Sequence, residues 1–312
     1  MKKLVFIAIM ATSMTAFVGC GSTNKATVQD TKVEEVVQEE TKQEDEAQET
    51  TQEETKQEDT GENSNQPPIT YDMLSVESEL MEPDSIGNVY FKGKYTNNSD
   101  KILVGLQYEI LLKDSNEKVY YDCYDTVLPG ETSSNFSGFG PASGNKEDIE
   151  VLKESFVILN DDLSKTHVEL DWKLNEYTWY DTNTSFGEIG LEGEAPISLD
   201  KFGLSVVLDE PDSLGNVYGN MTYTNTFDNP ITTFQAEILL KDSNEKVYYD
   251  CYDTVLPGET SPTFSGSGPS TQNTDDMQIL SISVILRNDD GTETCVKHDS
   301  KTRVYEWNVR NN

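Results

Sequence analysis

Two histidines, His167 and His298, and four cysteines, Cys20, Cys123, Cys251 and Cys295, are the side chains with which this sequence could build a nucleophile, a redox pair or a transition-metal site. No His lies at ligand spacing from another His or Cys, and no Gly-rich run could cradle a phosphate, so no cofactor and no metal are expected. Both histidines read as surface residues on polar strands. From Val119 to Val127, Val119, Tyr121, Cys123 and Val127 share one parity, which points Cys123, and its counterpart Cys251, inward as small core residues. Cys295 alternates with Lys297 and Asp299 and should face outward. A Cys251–Cys295 bridge would need the opposite parity in one strand, and a Cys123–His167 pair fails on the same geometry. An exported chain could still use such thiols as staples.

The acidic turns Asp161-Asp162 and Asp289-Asp290 offer oxygen ligands suited to calcium, without the spacing of an EF-hand loop; the same residues are ordinary turn formers. The outward parity of the strand around Cys123 leaves Tyr120 and Tyr124 on the solvent side, repeated as Tyr248 and Tyr252. Rings on a solvated sheet face can stack on a sugar or anchor a protein, because Tyr couples a large rigid area to a polar tip. Cross-strand packing is the other use of such rings. These four tyrosines are the candidate binding surface. With no shared His position between the two copies, no catalytic residue and no enzyme activity are expected.

These residues sit in a duplicated frame. The stretch from Glu109 to Ser133, EILLKDSNEKVYYDCYDTVLPGETS, returns unchanged from Glu237 to Ser261, and the flanking sequence follows at the same offset without a gap. Each copy is over 100 residues, enough for a core of its own. Alternation marks the strands: Ile102, Val104, Leu106, Tyr108, Ile110 and Leu112 on one face, with Phe234, Ala236, Ile238 and Leu240 in the second copy. Val89, Phe91 and Tyr95 form another inward row, and Val168, Leu170 and Trp172 a third. Turn formers such as Asp114-Ser115-Asn116 and Pro129-Gly130 separate them. The expected fold is all-β: two tandem immunoglobulin-like β-sandwiches, residues 68–180 and 196–312, joined by a Gly-containing flexible stretch at 181–195.

Residues 1–20 run from Lys2-Lys3 through an apolar stretch to Phe17-Val18-Gly19-Cys20, the order of a secretory signal peptide. This leader resembles bacterial lipoprotein signals, a likeness that implies lipidation of Cys20. Residues 21–67 contain no aromatic side chain and are crowded with Glu, Asp, Gln and Thr; QEETKQED at 38–45 recurs at 52–59. Such a segment cannot bury enough surface to offset its ordering entropy and reads as a disordered acidic linker. The repeat is two heptads long, but lacks Leu or Ile at any pair of positions that could make a coiled-coil seam. The formal net charge of −34 argues against nucleic-acid binding.

The runs Asn97-Asn98-Ser99, Ile110-Leu111-Leu112-Lys113-Asp114 and Leu128-Pro129-Gly130-Glu131 resemble the FxLYD-type immunoglobulin-like domains of bacterial surface lipoproteins, with Ile110 in place of the aromatic and Lys113 in place of the Tyr. The likeness covers roughly half of each copy and implies fold and location, with no catalytic residues to carry over. The expectation is a lipid-anchored protein on the extracytoplasmic face of the cell membrane, a binding or spacer module that meets a protein or glycan partner non-covalently. An accessory or sensor subunit of a membrane complex is the alternative, with a carbohydrate-binding surface protein behind it.

Overall fold

A computed structural model describes residues 66–182, 187–199 and 202–311. Cys20 and the acidic linker up to residue 65 lie outside the described residues. The described chain is all-β, with short 3-10 turns and no α-helix. The first copy contributes β1 (Leu74–Leu80), β2 (Tyr90–Asn97), β3 (Ile102–Leu112), β4 (Glu117–Cys123), β5 (Phe136–Phe139), β6 (Ile149–Leu159), β7 (Lys165–Asp171) and β8 (Glu176–Thr182). After β9 (Glu188–Gly190), the second copy repeats the order: β10 (Gly203–Leu208), β11 (Tyr218–Thr224), β12 (Ile231–Leu240), β13 (Glu245–Cys251), β14 (Phe264–Ser267), β15 (Met277–Arg287), β16 (Glu293–Asp299) and β17 (Tyr305–Arg310). They form four antiparallel sheets, β1-β2-β5 and β4-β3-β6-β7-β8 in the first half, β10-β11-β14 and β13-β12-β15-β16-β17-β9 in the second.

In each half the small and the large sheet share one apolar core. Phe91, Tyr95 and Phe136 from the small sheet meet Leu106, Ile110, Tyr121, Cys123, Phe156 and Val168 from the large one. Met221, Tyr223, Phe234, Ile238, Tyr249, Cys251, Ile282 and Val296 do the same in the second half. Alternation alone explains most of this: β2 buries every second residue, and the inward set Phe234, Ala236, Ile238 and Leu240 is fully buried. Glycine completes the fit at β5. A Cβ on Gly138 would stand 2.5 Å from the Tyr121 ring, so only Gly lets that ring lie flat across the strand and donate its hydroxyl to the Phe139 carbonyl. Gly266 and Tyr249 repeat the device.

Some side chains depart from simple alternation. The register of β3 against β6 slips between Leu103 and Gly105, a bulge that turns Leu103 inward and leaves Ile102 and Val104 half-exposed. Trp172 lies one residue past the end of β7, where it is partly exposed and its ring meets Tyr71. His298 is buried, its ring against Tyr305, because it shares the parity of Val296; His167 is half-buried against Tyr180. Within the stretch read as a flexible joint, Glu188–Gly190 pairs with β17 and adds an edge strand to the second half.

Candidate interaction surface

Tyr120 and Tyr248 lie on sheet-edge strands, β4 pairing only with β3 and β13 only with β12, and Tyr124 and Tyr252 each follow one residue past the end of that strand. Inward parity belongs to Tyr121 and Cys123, and to Tyr249 and Cys251, so the alternate positions turn to solvent. Tyr120 and Tyr124 are 51% and 67% exposed, Tyr248 and Tyr252 49% and 66%. Cross-strand aromatic packing does not use them. Tyr120 stands opposite Glu109 and Tyr248 opposite Glu237, and none of the four stacks on another aromatic ring among the described residues. Partial burial, with Asp122 nearby, raises the Tyr124 hydroxyl above its ordinary range; partial burial raises Tyr252 as well, with Asp250 adding to it.

The remaining candidates take structural roles. Cys123 and Cys251 sit in separate cores, and burial pushes the Cys123 thiol up to about 12, far from a reactive thiolate. No disulfide joins Cys123, Cys251 and Cys295. Cys251 is on β13 and Cys295 on β16, with β12 and β15 between them. At about 4.8 Å per strand that separation is roughly 14 Å, about twice the Cα reach of a disulfide. Asp162 accepts the amide and hydroxyl of Ser164, and Asp290 those of Thr292, so each carboxylate closes its own turn. Among the described residues no group of three or more His, Cys, Asp or Glu side chains is placed to hold a metal ion. No helix among them is long and apolar enough to cross a membrane.

Two features escape a reading of the strands alone. Glu154 is buried on the core side of β6 and accepts the Tyr108 hydroxyl at 2.8 Å; desolvation pushes its carboxyl up to about 7 against that hydrogen bond and one from Trp172. The second half places Ala236 and Ile282 at the same two positions. Its parity with Phe156 and Ile158 was the available signal.

The other feature is a polar seam between the halves. Lys246 of β13 reaches Asp125, just beyond β4, at 2.8 Å, while Glu237 holds the same ammonium at 2.6 Å. Asp125 also accepts the Ser134 amide at 2.7 Å. Burial works against both charges of this pair. Glu237 and Asp125 nevertheless raise Lys246 above its ordinary value, and Lys246 together with Ser134 holds Asp125 below its own. Around them Asn244 donates to the Ser133 carbonyl at 3.0 Å, the Asn135 amide donates to the Asn244 carbonyl at 3.0 Å, and Lys92 pairs with Glu245. From the β16–β17 turn, Lys301 reaches Glu131 at 2.8 Å and the Thr126 carbonyl at 2.9 Å, while Thr126 donates to Asp299 at 2.6 Å. Lys165 and Glu306 close the line at 2.7 Å. Tyr248 lies at its margin, beside Lys246; burial raises its hydroxyl, and the neighbouring ammonium offsets part of that.

No protein-family model and no curated protein match this chain. Among solved structures it is similar to the crystal structure of a transglutaminase from red sea bream, at 10% identity over 77% of this chain and 31% of that one, with a TM-score of 0.18. The chain therefore spans about a third of that protein's length, and a likeness so low supports no inference about fold or activity.

Proposed function

We propose that this protein is a non-catalytic, lipid-anchored module on the extracytoplasmic face of the cell membrane. It carries two tandem immunoglobulin-like sandwiches of FxLYD type that bind or space an envelope or extracellular partner without covalent chemistry. The shared core between a small and a large sheet in each half supports the sandwich reading. The leader ending in Gly19-Cys20 supports the anchor, with one or two acyl chains tethering the acidic linker. The observation that carries the binding role is the pair of exposed tyrosines, one on the edge strand and one just past its end, at equivalent positions in both halves. A partner that repeats would meet two such faces on one chain, and the second contact forms at high effective concentration.

Capture of envelope proteins and glycans with the full chain tests this reading. Replacing Tyr120, Tyr124, Tyr248 and Tyr252 with Ser should weaken any captured interaction at least tenfold, the equivalent of about 1.4 kcal/mol. Undiminished binding by that variant would remove the tyrosines from the site. Cys20→Ser should shift the chain from the membrane fraction into unprocessed precursor or medium, and unchanged membrane partition would place the anchor elsewhere.

A further inference from the structure

The seam joins unlike surfaces. On the second half it uses the turn and strand from Ser243 to Lys246 with Asp299 and Lys301; on the first half it uses Lys92, Asp125, Thr126 and the stretch from Glu131 to Asn135. Because the halves are copies, each possesses both surfaces. The seam consumes one of each and leaves the other two outside it. Those left over are Asn116, Glu117, Lys118, Asp171 and Lys173 on the first half, and Asp253, Thr254, Glu259 and the Ser261 carbonyl on the second.

We propose that these two remaining surfaces bind each other between chains, so that the protein associates head to tail with further copies of itself. The occupant is set by continuity with the internal seam. Lys118 to Asp253 repeats Lys246 to Asp125; Asn116 to the Ser261 carbonyl repeats Asn244 to that of Ser133. Lys173 to Glu259 and to the Thr254 carbonyl repeats Lys301 to Glu131 and Thr126, and Thr254 to Asp171 repeats Thr126 to Asp299. Lys118 is already held by Glu109, as Lys246 is by Glu237, so the ammonium waits in the same setting with the aspartate position open to solvent. The side chain of Lys118 is 50% exposed, that of Lys246 17%.

The match is incomplete, and its gaps set the strength. Asn220 stands where Lys92 would be, Thr263 in place of Asn135, and Thr178 in place of Glu306. Pro262 replaces Ser134 and has no amide to offer Asp253. The contact between chains is therefore weaker than the seam within one, which makes it reversible. A contact between two different surfaces also does not terminate at a dimer; it closes a ring or runs on as a chain of copies. The large negative charge does not forbid it, since repulsion beyond about 8 Å is screened at physiological ionic strength and the facing charges are opposite.

Sedimentation equilibrium of the full chain, in detergent matched to the solvent density, tests the proposal. The average mass of the parent should rise with concentration past that of two chains. Lys118→Glu alone, or Asp253→Lys alone, should raise the apparent dissociation constant at least tenfold, as expected for a facing charge pair made repulsive. An equimolar mixture of the two variants should recover association, because the reversed surface of one then meets the reversed surface of the other. That recovery also shows both variants to be folded. Where reversal disturbs the β3–β4 turn, Lys118→Ala replaces it and should weaken association in the same direction. A parent that stays single at about 1 mM, single variants that associate like the parent, or a mixture that recovers nothing would each overturn the proposal.

Discussion

The stretch from Glu109 to Ser133 and its replica from Glu237 to Ser261 have the same residues in the same strands, yet their charges live in different surroundings. Asp125 is buried under Lys246, whereas Asp253 is exposed; Lys246 is enclosed by two carboxylates, whereas Lys118 meets Glu109 alone. Local sequence has set strand, turn and parity in both places. What separates them is position in the chain: Asp125 in the first copy and Lys246 in the second meet across the halves, and their twins Asp253 and Lys118 face solvent. Identical residues thus carry unequal energy, and substitutions at twin positions should expose that inequality.

The largest effect falls on the buried pair. Lys246→Ala leaves the buried Asp125 carboxylate without its cation and should cost about 3–5 kcal/mol in denaturant unfolding, and Asp125→Ala should cost less, because Glu237 still holds the ammonium. Asp253→Ala and Lys118→Ala should leave the same transition unmoved. Equal losses at twin positions would erase the distinction between the two environments.

The next contrast concerns Glu154, which has no acidic twin. A carboxyl held at about 7 in the folded chain against an ordinary 4.5 costs roughly 3 kcal/mol once it is ionised. Its folded-state value is raised, so its protonated form favours folding; that benefit is full below about 4.5 and is lost as pH rises through about 7. Glu154→Gln keeps an acceptor for the Tyr108 hydroxyl and should flatten the fall in unfolding free energy between pH 5 and pH 8. Asp125 works in the other direction. Its folded-state value is depressed, so its contribution is present above 3.8 and is lost as pH falls below that. An unchanged pH profile in Glu154→Gln would show that the carboxyl ionises as it does in the unfolded chain.

A smaller effect should be the same in both halves and so sharpens the comparison. Asn97 donates to the carbonyls of Lys101 and Val127, and Asn225 to those of Asn229 and Val255; both are fully buried. Asn97→Ala and Asn225→Ala should each cost about 1–3 kcal/mol by removing those buried hydrogen bonds together with the acceptor for the Ser99 or Phe227 amide. Clearly unequal costs would mean that even the shared scaffold is not equivalent. Smallest of all, the four tyrosine-to-serine changes should each stay within about 0.5 kcal/mol in stability, because the rings face solvent. Thermal melts that drop well beyond this would make the tyrosines packing residues.

Alternation along the strands made much of this legible. The buried rows at Phe91 and Tyr95 and from Phe234 to Leu240, the inward Cys123 and Cys251, and the outward Tyr120, Tyr124, Tyr248 and Tyr252 all follow from parity. Parity fails where the chain inserts or ends. The bulge at Leu103 and Gly105 shifts the phase by one residue, and Trp172 falls after the last ladder residue of β7. His298 and Glu154 were legible in principle, since each shares the phase of apolar neighbours, but residue type spoke against burial. The edge strand Glu188–Gly190 is too short to show a period. The seam was not legible at all. Lys246 and Asp125 lie far apart in sequence, and their twins carry the same local signal with no such contact.

A double-mutant cycle on Lys246 and Asp125, set beside the same cycle on Lys118 and Asp253, tests that inequality most directly. Measured by denaturant unfolding at a concentration where chains are single, the seam pair should show a coupling of at least about 1.5 kcal/mol and the twin pair none. Equal coupling in the two cycles, or none in the first, would contradict the claim that the halves are held together by residues whose copies stand open to solvent.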